Sequence, residues 1–418
     1  MLKEVNNINS QKVQYRILYL YSILIVFAGL LMGPPLESIK QLWTLVISPC
    51  YLFTDYFYIS SIGTALINSG LLMFLAIFIA NVSKTEISGL LIASIFIVTG
   101  FALFGKNLYN VVSIYLGVYL YSRFKKESFS KYVTMANFAT SLTPLVSQVS
   151  YGMNFEPVSA IILANVIGLI VGFIFSPLAN SFAAIHRGFN IYNGGFTSGI
   201  IGMLFMSIFR MTDYDHFSVK LITDKTDNRL VIFLFIFFLS MIITGYIKGK
   251  KTLKEYSRIL SYSGMPKTDF VALEGFDSAL VNMGIMGISA TVLALIFKAP
   301  LNGLVTGAIL TVVGFSALSK NLFNTIPIVV GVVLAYTLAG RFMSDTVCMI
   351  NALFATSLAP VAGVYGLPAG MLAGFLHAVL VGNLAYLHGW MNLYNNGFSA
   401  GFIAAILVGI LEIFKKEK

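Results

Sequence analysis

The chain has 418 residues, 57% of them hydrophobic and 11% charged, with a mean hydropathy of +0.85 and a formal net charge of +10. Apolar runs of roughly 20 residues recur along it, the length one helix needs to cross a bilayer. This excludes a soluble globule and an outer-membrane barrel, whose strands alternate in polarity. The basic surplus sits in short segments between apolar runs, where positive charge orients membrane proteins, so nucleic acid is not an expected partner.

The charged start MLKEVNNINSQKVQYR leads into an apolar run with no clear small-residue cleavage site, which predicts a retained first helix. In the first half the pattern predicts spans near 17–33, 61–82, 87–105, 108–123 and 156–178. Two further apolar segments are interrupted: 132–150 by Pro144, and 190–210 by its opening, NIYNGGFTSG. A polar linker follows at 213–229. The second half predicts spans near 230–247, 275–297, 302–318, 322–340 and 366–387, with interrupted segments at 348–364 and 392–411. Cys50 and Cys348 lie in non-matching places and read as ordinary thiols. No zinc spacing or phosphate-binding loop is present, so neither metal nor cofactor is expected.

The chain is written twice. TALINSG (64–70) matches SALVNMG (278–284), ISGLLIA (87–93) matches LNGLVTG (301–307), and GKNLYN (105–110) matches SKNLFN (319–324). FATSLTP (138–144) matches FATSLAP (354–360), and NIYNGGFTSG (190–199) matches NLYNNGFSAG (392–401). The order is the same in both halves, which argues for a tandem duplication. The domains are therefore repeat one (1–212), the linker (213–229) and repeat two (230–418). Segment 122–131 carries four Lys or Arg and 248–270 carries six, whereas their repeat partners, 341–346 and 34–60, carry one each. Opposite charge at equivalent loops predicts inverted topology, with both termini cytoplasmic in a multi-pass cell-membrane protein. The expected fold class is all-α polytopic, with about five full spans plus broken or re-entrant helices per repeat.

Inverted repeats set their solute sites near the pseudo-two-fold axis, on broken helices from both halves. Candidate substrate-binding residues are Asn190, Tyr192, Asn193 and Phe196, with their partners Asn392, Tyr394, Asn395 and Phe398. Asn193 and Asn395 are expected to face one central cavity. Gly195 with Gly199, and Gly397 with Gly401, equally fit close helix packing, and asparagine before a helix is an ordinary cap. Thr140, Ser141, Thr356 and Ser357 either line a site or re-satisfy backbone freed by Pro144 and Pro360. Asn68 and Asn282, inside apolar runs, either glue helices or face the path. Asn107, Asn110, Asn321 and Asn324 read as caps. Glu274 and Asp277 read as carboxylates at a helix start, and the aligned His186 and His388 as interfacial or titrating side chains.

The repeated FATSL and YN-x-GF motifs resemble a two-repeat bacterial integral-membrane family of unknown function (domain of unknown function 1576), which implies no activity. APLNGLVTGAI (299–309), VVGVVLAYTLAG (329–340) and IYNGGFTSGIIG (191–202) are also similar to elements of the urea transporters, although the first half has only TEISGL and no Asn-Pro. That likeness implies an inverted-repeat, channel-like passage for a small polar solute. The expected function is a channel-like or secondary transporter for such a solute, with the lipid bilayer and further copies of the chain as partners. A membrane-embedded sensor or scaffold is the alternative. An intramembrane enzyme fits less well, because His, Asp, Glu and Cys do not cluster within spans.

Overall fold

The computed structural model describes residues 2–153, 155–214, 220–249 and 252–413, without the side chains of residues 2–9. The first half opens with α1 (Leu2–Leu31), α2 (Pro35–Ile47), α3 (Tyr56–Ile59), α4 (Ile62–Val82) and α5 (Gly89–Phe101). It continues with α6 (Val112–Phe124), α7 (Val133–Ala139), α8 (Thr143–Tyr151), α9 (Pro157–Ala183) and α10 (Asn193–Arg210). The second half follows the same order, from α11 (Asn228–Lys248), α12 (Thr252–Ile259), α13 (Phe270–Glu274) and α14 (Phe276–Ile296) to α15 (Gly303–Phe315). It ends with α16 (Leu322–Leu338), α17 (Thr346–Ala355), α18 (Ala359–Tyr365), α19 (Leu367–Leu384) and α20 (Asn395–Ile413).

Among the described residues, eight helical segments are long and apolar enough to cross a bilayer, including α4, α9, α11, α14 and α20. Large apolar side chains such as Ile162, Ile236 and Ile247 stay exposed on their outer faces, as lipid contact requires. This is an all-α polytopic membrane protein.

The interruptions have local causes. A 3-10 turn at Thr140–Leu142 separates α7 from α8, and Pro144 sits in the first turn of α8. Thr356–Leu358 and Pro360 do the same between α17 and α18. Proline is tolerated there because the first N–H groups of a helix have no intrahelical partner. The segments that began with Asn and Gly are continuous helices, of 18 residues in α10 and 19 in α20. The short elements are instead α5 and α15, 13 residues each, or about 20 Å. Segment 34–60, expected as a loop, contains α2 and α3. The linker ends at residue 227, and Leu221 pairs with the backbone of Phe53 and Asp55; residues 215–219 lie outside the described set.

The short pair forms the centre of the molecule. Every residue of α15 is buried, and all of α5 except Leu90. The two run antiparallel in tight contact. A Cβ on Gly100 would lie 2.4 Å from the Gly307 carbonyl oxygen, and one on Gly307 2.5 Å from that of Gly100. Only glycine allows backbones this close.

Each short helix is also capped from the opposite half. The Asp55 carboxylate accepts from Gly303 N at 3.0 Å, at the start of α15. Asp269 accepts from Gly89 N at 2.9 and 3.0 Å, at the start of α5. A carboxylate at the positive helix end satisfies an orphan donor and the dipole together. Glu274 does not cap: it bonds Arg258 and Tyr262, while Asp277 occupies the first turn of α14.

Candidate functional site

The repeated motif lies where the halves meet, and its contacts are reciprocal. Asn190 Nδ2 donates to Gly397 O at 3.0 Å, and Asn392 Nδ2 to Gly195 O at 3.2 Å. Ile191 N donates to Ser357 O, and Leu393 N to Ser141 O. Each asparagine also accepts from its own chain, at Tyr192 N and Tyr394 N, both at 2.9 Å. That bond shapes the turn before each helix. The Tyr192 and Tyr394 rings meet with centroids 4.5 Å apart. A Cβ on Gly195 would lie 2.8 Å from the Gly397 Cα, so α10 and α20 begin at one point.

Asn193 and Asn395 do different work from that expected. Asn193 Nδ2 donates to Ala179 O at 2.9 Å, and its Oδ1 accepts from His186 Nε2 at 2.9 Å. Asn395 repeats this with Val381 O and His388 Nε2. An amide oxygen only accepts, so both histidines carry the proton on Nε2. These pairs tie each helix start to the preceding helix. A cavity of about 330 Å³ is bordered by Asn190, Asn193, Gly194, His186 and Pro266, whereas Asn395 is enclosed. Among the described residues, this cavity reaches Asn193 and not Asn395. Phe196 and Phe398 pack with Leu384, Phe182 and Phe402 between the crossing helices.

Thr140 Oγ1 donates to Asn137 O, and Ser141 Oγ to Phe138 O, which re-satisfies carbonyls at the 3-10 break. Ser141 also shares a 2.6 Å bond with Ser198. Ala400 stands in the position that corresponds to Ser198, and Ser357 Oγ has no partner. Asn68 Nδ2 donates to Ala102 O and Lys106 O, both at 2.8 Å, and Asn282 to Ser316 O and Lys320 O at 2.7 Å. These asparagines glue α4 and α14 to the C-terminal ends of the short helices.

Those bonds lead to two side chains that the sequence reading passed over. Lys106 and Lys320 follow α5 and α15 at matched positions, and both are fully buried. Lys320 Nζ donates to the Tyr192 hydroxyl and to Thr356 Oγ1, the latter at 2.6 Å. It also lies 4.3 Å from the Tyr192 ring centroid. Lys106 Nζ lies 5.0 Å from the Phe101 ring centroid and has no hydrogen-bond partner among the described residues, and the Tyr394 hydroxyl has only that of Tyr192 beside it. Among the described residues, no carboxylate comes within ion-pair distance of either lysine. The signal was present in GKNLYN and SKNLFN, where a lysine recurs inside a matched apolar context.

No curated protein and no solved structure matches the chain. The likeness to urea transporters therefore rests on the sequence elements alone. The profile of a family described as protein of unknown function (DUF1576) matches residues 35–211 and 248–413. The two matched regions take in both copies of every repeated motif, and the chain belongs to this family.

Proposed function

We propose that the protein is a transporter that moves a small polar solute across the cytoplasmic membrane at the junction of its halves. One observation carries the reading: the reciprocal junction encloses Lys106, Lys320, Tyr192 and Tyr394 inside a membrane protein. Ionisable side chains at such depth are costly and mark solute or ion pathways by default.

The antiparallel packing of α5 and α15 supports inverted halves. A two-fold operation that exchanges antiparallel neighbours runs perpendicular to them. With these helices aligned to the bilayer normal, that axis lies in the membrane plane, in agreement with the loop charges. Close backbone approach at Gly100 with Gly307, and at Gly195 with Gly397, favours a moving transporter over a fixed pore. Opening a path requires these contacts to shift.

The test is a flux screen. Purified protein in liposomes is loaded with neutral polar solutes and with small anions, against protein-free liposomes. We expect at least one class to cross faster with protein present. Correctly folded protein that moves none of them overturns the reading.

A further inference from the structure

We infer that Lys106 and the Tyr394 hydroxyl, with Lys320 and Tyr192 as their counterparts, form a binding site for a small anion. Its use in transport rests on the reading above, but binding itself does not.

The first argument is electrostatic. An ammonium taken out of water without a counter-charge is strongly disfavoured. Lys106 and Lys320 are both fully buried, and among the described residues no carboxylate pairs with them. Ring faces offset only part of that cost. A bound anion would supply the missing partner.

The second argument is the donor set. Among the described residues the Lys106 amine has no hydrogen-bond partner, although buried polar groups are normally paired, and the Tyr394 hydroxyl has only that of Tyr192 beside it. Both lie against the Phe101 ring, Lys106 Nζ 5.0 Å from its centroid and the Tyr394 ring centroid 5.2 Å from it, so an anion placed there would accept from both. Tyr394 immediately precedes α20, and Tyr192 immediately precedes α10, so two positive helix ends meet at the tyrosine pair. An oxyanion accepts from this set and also supplies the counter-charge, which an uncharged amide lacks; a cation does neither.

The third argument is the asymmetry. In the matched half, Lys320 is latched to Tyr192 and Thr356. Thr140 makes the same backbone bond as Thr356, to Asn137 O where Thr356 donates to Leu353 O, but among the described residues it receives none from Lys106. One half of the site is bonded within itself and the other leaves its lysine without a partner among the described residues, a difference that alternating access can exchange.

The experiment measures the melting temperature of the purified full chain in detergent. Sodium formate, acetate, succinate, nitrate and phosphate are titrated at constant ionic strength against gluconate. At least one anion should raise the melting temperature with a saturable dose dependence; carboxylates against nitrate and phosphate show which class is preferred. Lys106→Met should weaken that apparent affinity by roughly 10- to 100-fold, and Tyr394→Phe by roughly 2- to 10-fold. Lys12→Met, on the exposed face of α1, should leave it unchanged. No stabilisation of wild type by any of the anions overturns the inference, as does equal stabilisation in Tyr394→Phe and Lys106→Met. If Lys106→Met does not fold, Tyr394→Phe decides, because it removes the hydroxyl and keeps the ring packed on Tyr192. Anion binding without any flux keeps this site and overturns transport. Flux of neutral solutes without anion binding keeps transport and overturns this site.

Discussion

Asp55→Ala should be among the most damaging single changes far from the lysine pair. The Asp55 carboxylate is buried and accepts from Phe57 N at 2.9 Å, Thr223 N at 3.0 Å and Gly303 N at 3.0 Å. Thr223 is partly exposed, so water can replace its bond, whereas Phe57 and Gly303 are enclosed. Each enclosed donor left unpaired costs about 1–3 kcal/mol, so the expected loss is about 4 kcal/mol. Asp269→Ala removes the matching cap from a less buried site, and about half that loss is expected. Asp55→Asn keeps an acceptor but loses the charge at the α15 start, for about 1–2 kcal/mol. The assay is a denaturant titration in detergent, with the exposed Asp224→Ala as reference. The reasoning fails if Asp55→Ala matches Asp224→Ala, or if Asp269→Ala costs more than Asp55→Ala.

Three further outcomes are expected. On intact cells, an impermeant maleimide should label Lys225→Cys and spare Lys254→Cys, while the buried native cysteines stay unreactive; labelling of both from one side refutes inverted halves. Asn193→Leu should lower stability by about 1–3 kcal/mol, because it strips the Ala179 carbonyl and His186 of their partner. Gly199→Leu should cost more, since even a Cβ there lies 2.1 Å from the Phe398 ring; a reversed order in the same titration rejects this account. Finally, hydrogen bonds from Arg258 hold the Glu274 carboxyl below its ordinary value of 4.5. Its folded pKa is depressed, so its contribution is complete above pH 4.5 and fades as pH falls through the lower folded value. The stability gap between wild type and Glu274→Gln should shrink there, and a gap that widens contradicts the pairing.

Much of this architecture is legible in the sequence because apolar length and repetition are strong signals. Most long helices fall within a few residues of the apolar runs, although α1 starts at Leu2, well before the expected 17–33, and the breaks fall just before Pro144 and Pro360. The cap at Asn321, which forms a capping box with Asn324, also follows from local chemistry, whereas Asn107 accepts from Tyr109 N and Asn110 N in a turn before α6 and does not cap that helix. Long-range pairing is different. Nothing local in NIYNGGFTSG says that Asn190 bonds the opposite half while Asn193 bonds its own. Asp55 and Asp269 also sit in matched Thr-Asp-aromatic triplets, but their partners, Gly303 and Gly89, are distant in sequence. The lysines were hidden for a physical reason. After an apolar helix, lysine is usually an interfacial residue whose charge reaches water; here both heads are fully buried, Lys106 against Phe101 and Lys320 against Tyr192 and Thr356.

The central claim is that a solute passes through the junction where these lysines lie. It is tested most directly by uptake into proteoliposomes, for wild type and for a chain carrying Lys106→Met and Lys320→Met, normalised to folded protein by melting profile. The account predicts saturable uptake by wild type and a loss of roughly 10-fold or more in the double variant, since a buried charge-assisted contact contributes about 1.5–3 kcal/mol. Equal uptake per folded molecule by the two proteins would contradict it.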